Sequence, residues 1–316
     1  MINKRPKIVI LDDEALAFLG TSRRFQLDQI GDVDHYRSAA RDQNELVARL
    51  AGADALINIK KSYLFNSDLF NDLPQLKIIS YFGIGIDHFK ISKEISDRVL
   101  IKNTPGVSAG EVAEHAFALL LGLSKKLLVN DRNTRQGIWF QQDNLGLQGK
   151  KLGLVGAGDT AAAVNHFAKA FGMETCMWTR CPSVDRAEKL RTPFVELDVL
   201  FKTSDVISLH LPLFPNTRGM ITRALLKSMK PSAFLLNLGR GGLYEEKDLY
   251  HALKNNWIAG AGLDVFENEP LNQRSPFFEF DNVLHTPHIA DRTPECFERG
   301  MDMLTNNILN YYLVSE

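Results

Sequence analysis

A chain of 316 residues, 45% hydrophobic and 24% charged, is long enough for about two domains, each with its own core. A formal net charge of −1 supplies no basic field for nucleic acid or an anionic membrane, and three cysteines (Cys176, Cys181, Cys296) without CxxC spacing argue against a disulfide framework or a zinc site. The longest mainly apolar stretch, Ala116 to Leu123, is far short of the roughly 20 residues that span a bilayer, and Met1 to Pro6 lead into a strand without a signal-peptide pattern. A cytoplasmic protein is expected, with no metal, nucleic-acid or membrane partner.

Short β-branched runs alternate with helical patterns, as in βαβ units around a parallel sheet. Ile8–Leu11 reads as the first strand, with Asp12 and Asp13 at its carboxyl end. Helical spacing over Asn44–Leu50 and Ser67–Leu73 separates it from strands at Ala55–Ile59 and Lys77–Ser80. A short strand at Leu100–Asn103 stops at Thr104-Pro105-Gly106, a breaker taken as the first crossover between domains. Glu111 to Val129 predicts one long helix, apolar at Val112, Ala116, Leu119, Leu120, Leu123 and Leu127. Lys151–Val155 then opens a second α/β unit, continued by strands at Thr175–Trp178, Val206–Leu209, Ala233–Leu238, Ala259–Leu263 and Val283–His285. A helix over roughly Thr293–Tyr312 is long enough to return to the first domain. The reading is α/β, with two domains and two crossovers.

Gly156-Ala157-Gly158-Asp159-Thr160-Ala161 follows a strand and opens a helix, the context in which a GxGxxA turn indicates a dinucleotide. The first glycine allows the tight turn, the second lets a pyrophosphate approach the backbone, and the helix amino terminus offers unpaired N–H groups. An NAD-preferring site usually carries Asp or Glu about 20 residues on, to hold the ribose hydroxyls. Here the second strand ends in Thr179-Arg180. Without a carboxylate to repel a 2′-phosphate, and with Arg180 to attract one, NADP is the preferred cofactor and NAD a possible one. Ser183 and Arg186 can add to that pocket.

Three later segments place an arginine, a glutamate and a histidine at the ends of successive apolar runs: Leu236-Asn237-Leu238-Gly239-Arg240-Gly241-Gly242, Leu263 to Pro270, and Thr286-Pro287-His288-Ile289-Ala290. Reversible hydride transfer at a 2-hydroxy acid needs such a set. Arg240 can clamp a planar carboxylate through two parallel hydrogen bonds. His288 can hold or release the hydroxyl proton near neutral pH. Glu269 can orient the imidazole and favour its charged form. His115, among packing residues of an amphipathic helix, reads as structural.

With these segments in order, the chain resembles the D-isomer-specific 2-hydroxyacid dehydrogenases, closest in character to glyoxylate/hydroxypyruvate reductases. The match runs through Tyr81-Phe82-Gly83-Ile84-Gly85-Ile86-Asp87, Asn103-Thr104-Pro105-Gly106, Val112-Ala113-Glu114-His115, the glycine turn and the three late segments. The resemblance implies two Rossmann-like domains. A dinucleotide-binding domain (103–287) is inserted in a flavodoxin-like substrate domain (1–102 and 288–316), with the active site in the cleft. It implies catalytic roles for Arg240, Glu269 and His288, and substrate binding by Ile84, Gly85 and Arg240. Cofactor contacts are expected from Thr104, Gly156, Ala157, Gly158, Asp159, Thr160, Thr179, Arg180, Leu211, Pro212, Thr217, Leu238, Asp264 and His288. The Glu111–Val129 helix and the arm through Gly137-Ile138-Trp139 resemble the family's dimer element, so a homodimer is expected.

Departures from the commoner pattern bear on the substrate: His88 where Asn is frequent, Asp291-Arg292 where small residues are frequent, and Lys60-Lys61 after a strand of the first domain. They leave the acceptor open among glyoxylate, hydroxypyruvate and longer or phosphorylated 2-keto acids. The expected activity is reduction of a short 2-keto acid to the D-2-hydroxy acid with NADPH. The alternative is an NAD-linked, phosphoglycerate-type dehydrogenase, against which Thr179-Arg180 weighs. A remoter one is a dinucleotide-binding corepressor, which would call for interaction tails that the sequence does not display.

Overall fold

Buried β-branched runs and amphipathic helices alternate through the computed structural model, which describes residues 5–59, 63, 65–85 and 89–313. Lys60, Lys61 and His88 lie outside the described residues. The chain divides into two compact units, Met1–Val107 with Thr293–Glu316, and Ser108–Arg292.

The first unit contains β1 (Lys7–Leu11), α1 (Ser22–Ile30), β2 (Asp32–His35), α2 (Gln43–Leu50), β3 (Ala55–Asn58), β4 (Phe65–Asn66), α3 (Ser67–Asn71), β5 (Ile78–Tyr81), β6 (Phe89–Lys90), α4 (Lys93–Arg98) and β7 (Leu100–Lys102), with α12 (Pro294–Leu313) returning from the chain end. Among the described residues its main sheet runs β2-β1-β3-β5-β7, with every pairing parallel. This is the flavodoxin-like order. β3 and β5 are buried along their whole length because helices cover both faces. One face packs Val9, Leu46, Leu56 and Ile79, and the other packs Ile8, Ile10, Ile57 and the inner side of α12 at Met301, Leu304 and Ile308. β2, polar and on the sheet edge, carries no apolar alternation to mark it in the sequence.

The second unit contains α5 (Ala109–Ser124), α6 (Leu127–Arg135), β8 (Lys151–Val155), α7 (Asp159–Ala170), β9 (Glu174–Trp178), α8 (Val184–Leu190), α9 (Leu197–Thr203), β10 (Val206–Leu209), α10 (Arg223–Ser228), β11 (Phe234–Asn237), α11 (Glu246–Lys254), β12 (Gly260–Leu263) and β13 (Val283–His285). Its parallel sheet runs β13-β12-β11-β10-β8-β9. A single parallel bridge from Met177 to Phe194 stands where a doubly wound sheet carries its outermost strand. The order reverses at β8, flanked by β9 and β10, and a ligand crevice belongs at the carboxyl ends there.

The long helix expected over Glu111–Val129 is two helices. α5 stops at Ser124, Lys126 takes a left-handed φ of 52°, and α6 starts at Leu127. The units also meet at other residues than the motifs suggested, between 107 and 108 and between 292 and 293. Residues 286–290 stay with the second unit because they are bonded to it. Thr286 N donates to Leu263 O at 2.9 Å and His288 N to Asp264 O at 2.9 Å, while Ile289 N and Ala290 N donate to the Asp264 carboxylate.

Candidate active site

The glycine turn lies at the sheet reversal. Gly156 has φ 121°, and a Cβ there would sit 2.8 Å from the carbonyl oxygen of His210, so only glycine fits between β8 and β10. A Cβ on Gly158 would meet nothing within 4 Å, which leaves its backbone open to a bulky group. α7 starts at the next residue, with its first-turn N–H groups free of intrahelical partners. Ala161 is fully buried against the core, as the third position of the fingerprint requires. An anionic pyrophosphate fits this turn through backbone donors and the helix dipole.

At the end of β9, Arg180 is exposed and its Nη2 donates to Asn216 Oδ1 at 3.0 Å. Arg186 is held more firmly: Nη2 donates to Ala157 O at 2.9 Å, Nη1 donates to Cys181 O at 3.0 Å, and the guanidinium lies 5.9 Å from the Phe194 ring centre. Ser183 caps α8, accepting from Arg186 N. Arg186 therefore borders the glycine turn, and Arg180 stands just after β9, where a ribose-binding carboxylate would otherwise be expected. Thr217 is buried, and its hydroxyl ties together the loop that carries Leu211 and Pro212: it accepts from Phe214 N at 2.7 Å and donates to Pro212 O at 2.8 Å.

Arg240, Glu269 and His288 come from loops at the carboxyl ends of β11, β12 and β13, which are neighbours in the sheet. Asn237 ends β11 fully buried. Its Nδ2 donates to Arg240 O at 3.0 Å and its Oδ1 accepts from Gly239 N at 3.1 Å, which shapes the arginine loop. Arg240 Nη1 donates to Gly239 O at 2.8 Å. The next residue lies against the glutamate loop so closely that a Cβ on Gly241 would be 1.9 Å from Phe266 C and 2.2 Å from Glu267 N. Glu269, whose bond to Pro270 is cis, accepts from Phe266 N through Oε1 at 3.0 Å and from His288 Nδ1 through Oε2 at 2.7 Å. With Nδ1–H committed to the carboxylate, Nε2 is the nitrogen available for proton exchange.

His288 adopts a left-handed φ of 53°, a conformation that costs a non-glycine residue about 1–2 kcal/mol and is held by its surroundings. The bond and charge of Glu269 raise its pKa above the usual imidazole value, opposed by burial and by the positive charge of Arg240. Beside the pair is a pocket of about 650 Å³ whose walls include Phe266, Leu271, Phe278 and His285. Burial lowers the pKa of His285, which stacks on Phe266 at 6.2 Å, so its charged form is disfavoured.

Asp264, expected among the cofactor contacts, is 1% exposed, and its carboxylate faces inward. It accepts from Thr286 Oγ1 at 2.6 Å, Ile289 N at 3.0 Å and Ala290 N at 3.1 Å. Thr104, another expected cofactor contact, belongs to the first unit and is 1% exposed. Its Oγ1 accepts from Gly83 N at 3.0 Å, and Asn103 Nδ2 donates to Ile84 O at 2.7 Å, so the pair pins the loop that carries Ile84 and Gly85. Leu238 is nearly buried at the end of β11, and Arg292 is exposed. Sequence reading missed Asn237 and Thr286. An asparagine before a Gly-Arg-Gly turn is a recognisable loop-shaping signal, whereas Thr286 gives no local one.

The family described as "D-isomer specific 2-hydroxyacid dehydrogenase, NAD binding domain" matches residues 117–290. The glyoxylate reductase of Korarchaeum cryptofilum is 35% identical over 272 residues, 84% of this chain and 82% of that protein. Among solved structures, an NADPH-dependent glyoxylate/hydroxypyruvate reductase from Sinorhizobium meliloti, in complex with NADP and malonate, superposes with a TM-score of 0.80 at 28% identity, covering 98% of this chain and 94% of that one. The D-lactate dehydrogenase of Aquifex aeolicus, complexed with NAD and lactic acid, gives a TM-score of 0.81 at 27% identity over 96% and 95%. On these matches and this geometry, the chain belongs to the D-isomer-specific 2-hydroxyacid dehydrogenase family and is an NAD(P)-dependent oxidoreductase.

Proposed function

We propose that this dehydrogenase works as an NADPH-linked reductase of short 2-keto acids of the glyoxylate and hydroxypyruvate kind. The observation that carries the cofactor choice is the end of β9. The strand runs into Thr179 and Arg180 with no carboxylate at either position, Arg180 is exposed and bonded to Asn216, and Arg186 is bonded to the glycine turn at Ala157 O. The glyoxylate reductase name of a 35% identical relative supports the substrate class.

Bound NADPH supplies the hydride. Arg240 clamps the substrate carboxylate, which fixes the keto carbon and oxygen relative to His288. Protonated His288 donates from Nε2 to the carbonyl oxygen as negative charge gathers there, and takes the proton back in the oxidative direction. Glu269 holds the ring by Nδ1 and stabilises the imidazolium. In the first unit, Thr104 and Asn103 pin the loop at Gly83–Gly85, and substrate binding there is assigned to Ile84 and Gly85.

A homodimer is part of the same reading. Trp139 is 83% exposed, its neighbours Ile138 and Phe140 are exposed too, and so are Leu127 and Leu128 at the start of α6, an apolar set that a second copy would cover.

Steady-state assays with glyoxylate and hydroxypyruvate, each with NADPH and NADH, test the function. Higher kcat/KM with NADPH, reduced by about tenfold or more in Arg180→Ala while NADH is little affected, is the expected outcome. Equal use of both cofactors, or preferential oxidation of a phosphorylated hydroxy acid with NAD, would replace this reading with the phosphoglycerate-type one.

A further inference from the structure

The acid/base turn is held from a helix far away in the sequence. His115, on α5, places Nε2 2.9 Å from Thr286 Oγ1 and 3.5 Å from Asp264 Oδ1. Thr286 donates its hydroxyl proton to Asp264 Oδ1 at 2.6 Å, because an ionised carboxylate only accepts. Its oxygen therefore accepts from His115, which fixes the Nε2–H tautomer. Both carboxylate oxygens of Asp264 then receive backbone N–H groups from the residues just after His288, Ile289 into Oδ1 and Ala290 into Oδ2. His288 N donates to the backbone oxygen of the same aspartate. One buried carboxylate thus organises a three-residue turn, and its Oδ1 is also held by Thr286, which His115 in turn fixes.

We propose that His115 is a positioning residue for the acid/base turn, acting through Thr286 and Asp264 to keep His288 in its left-handed conformation beside Glu269. A packing role alone would ask for shape and volume. This arrangement asks for an N–H at one point. Removing it frees the Thr286 hydroxyl to rotate and loosens one of the two oxygens that anchor the turn. The inference rests on His288 being the acid/base.

The test uses His115→Leu, His115→Gln, Thr286→Val and the double variant His115→Leu/Thr286→Val in the full chain. His115→Leu and Thr286→Val should each lower kcat for glyoxylate reduction by about tenfold, a part of the 10²-fold cost of an ångström of misplacement. KM and the NADPH Kd should stay near wild type. His115→Gln, which carries an amide N–H on a side chain of similar reach, should recover most of kcat. The double variant should be no slower than either single one, since all three break the same chain of bonds. Amide hydrogen exchange at Ile289 and Ala290 should accelerate in His115→Leu and stay protected in His115→Gln. This readout does not depend on what His288 does chemically, so failure of the relay and failure of the acid/base reading are distinguishable. Unchanged exchange and unchanged kcat in a folded His115→Leu protein would overturn the proposal. So would a His115→Gln variant as slow as the leucine one, or strictly additive losses in the double variant. If His115→Leu does not fold, Thr286→Val and His115→Gln carry the same comparison.

Discussion

Gly241→Ala is the smallest change that should dismantle the site, and its size follows from the packing. The added methyl would stand 1.9 Å from Phe266 C and 2.2 Å from both Glu267 N and Phe266 O, all backbone atoms with no rotamer to escape into. Ordinary contact begins at 3.4 Å, so the arginine and glutamate loops must separate by about 1.5 Å, the difference between that limit and the closest approach. Arg240 precedes the clash and Glu269 follows it, so the separation moves the carboxylate clamp away from the acid/base pair. A misplacement of about 1 Å costs roughly 10²-fold in rate, and overpacking of a well-filled site costs about 1–3 kcal/mol in stability. The assay is kcat/KM for glyoxylate, with thermal unfolding and NADPH Kd measured on the same preparation. A folded variant that binds NADPH normally and has lost about 10²-fold or more in kcat/KM is expected. A folded variant within threefold of wild type would refute the packing of these loops.

Arg240→Lys keeps the charge and loses the fork, so kcat/KM should fall sharply for every 2-keto acid while NADPH binding alone is spared; parallel losses in cofactor binding would place Arg240 at the nucleotide instead. Glu269→Gln removes the charge that raises the His288 pKa. Reduction needs protonated His288, and its rate falls as pH rises through that pKa, so the falling limb should move to lower pH in the variant; an unmoved limb with chemistry rate-limiting would count against the pair. Trp139→Ser should weaken self-association in sedimentation at micromolar concentration without changing kcat per intact site; a wild-type chain that sediments only as monomer would remove the dimer.

Much of the site was legible because its chemistry sits on short motifs at strand ends. The strand before Gly156, the helix after it, and the apolar runs leading to Arg240, Glu269 and His288 are local patterns, and the sheet order makes the last three neighbours. What escaped the sequence depends on tertiary contact. The break between α5 and α6 falls inside continuing apolar periodicity, with only the left-handed Lys126 to mark it. β2 is a polar edge strand stabilised by pairing with β1 and not by alternation. The donors that hold the Asp264 carboxylate lie 22 to 26 positions later, beyond any local motif. His115 reads as packing because its partner is 171 residues away. The unit boundary moved beyond His288 for the same reason, since bonds to Leu263 and Asp264 hold its turn to the second sheet.

The central claim is that His288 exchanges the proton with the substrate oxygen. Single-turnover reduction of saturating glyoxylate by His288→Ala, alongside its NADPH Kd, tests it most directly. The account predicts a rate lower by about 10²–10⁴-fold with the Kd close to wild type. A variant that reduces glyoxylate at the wild-type rate would contradict it.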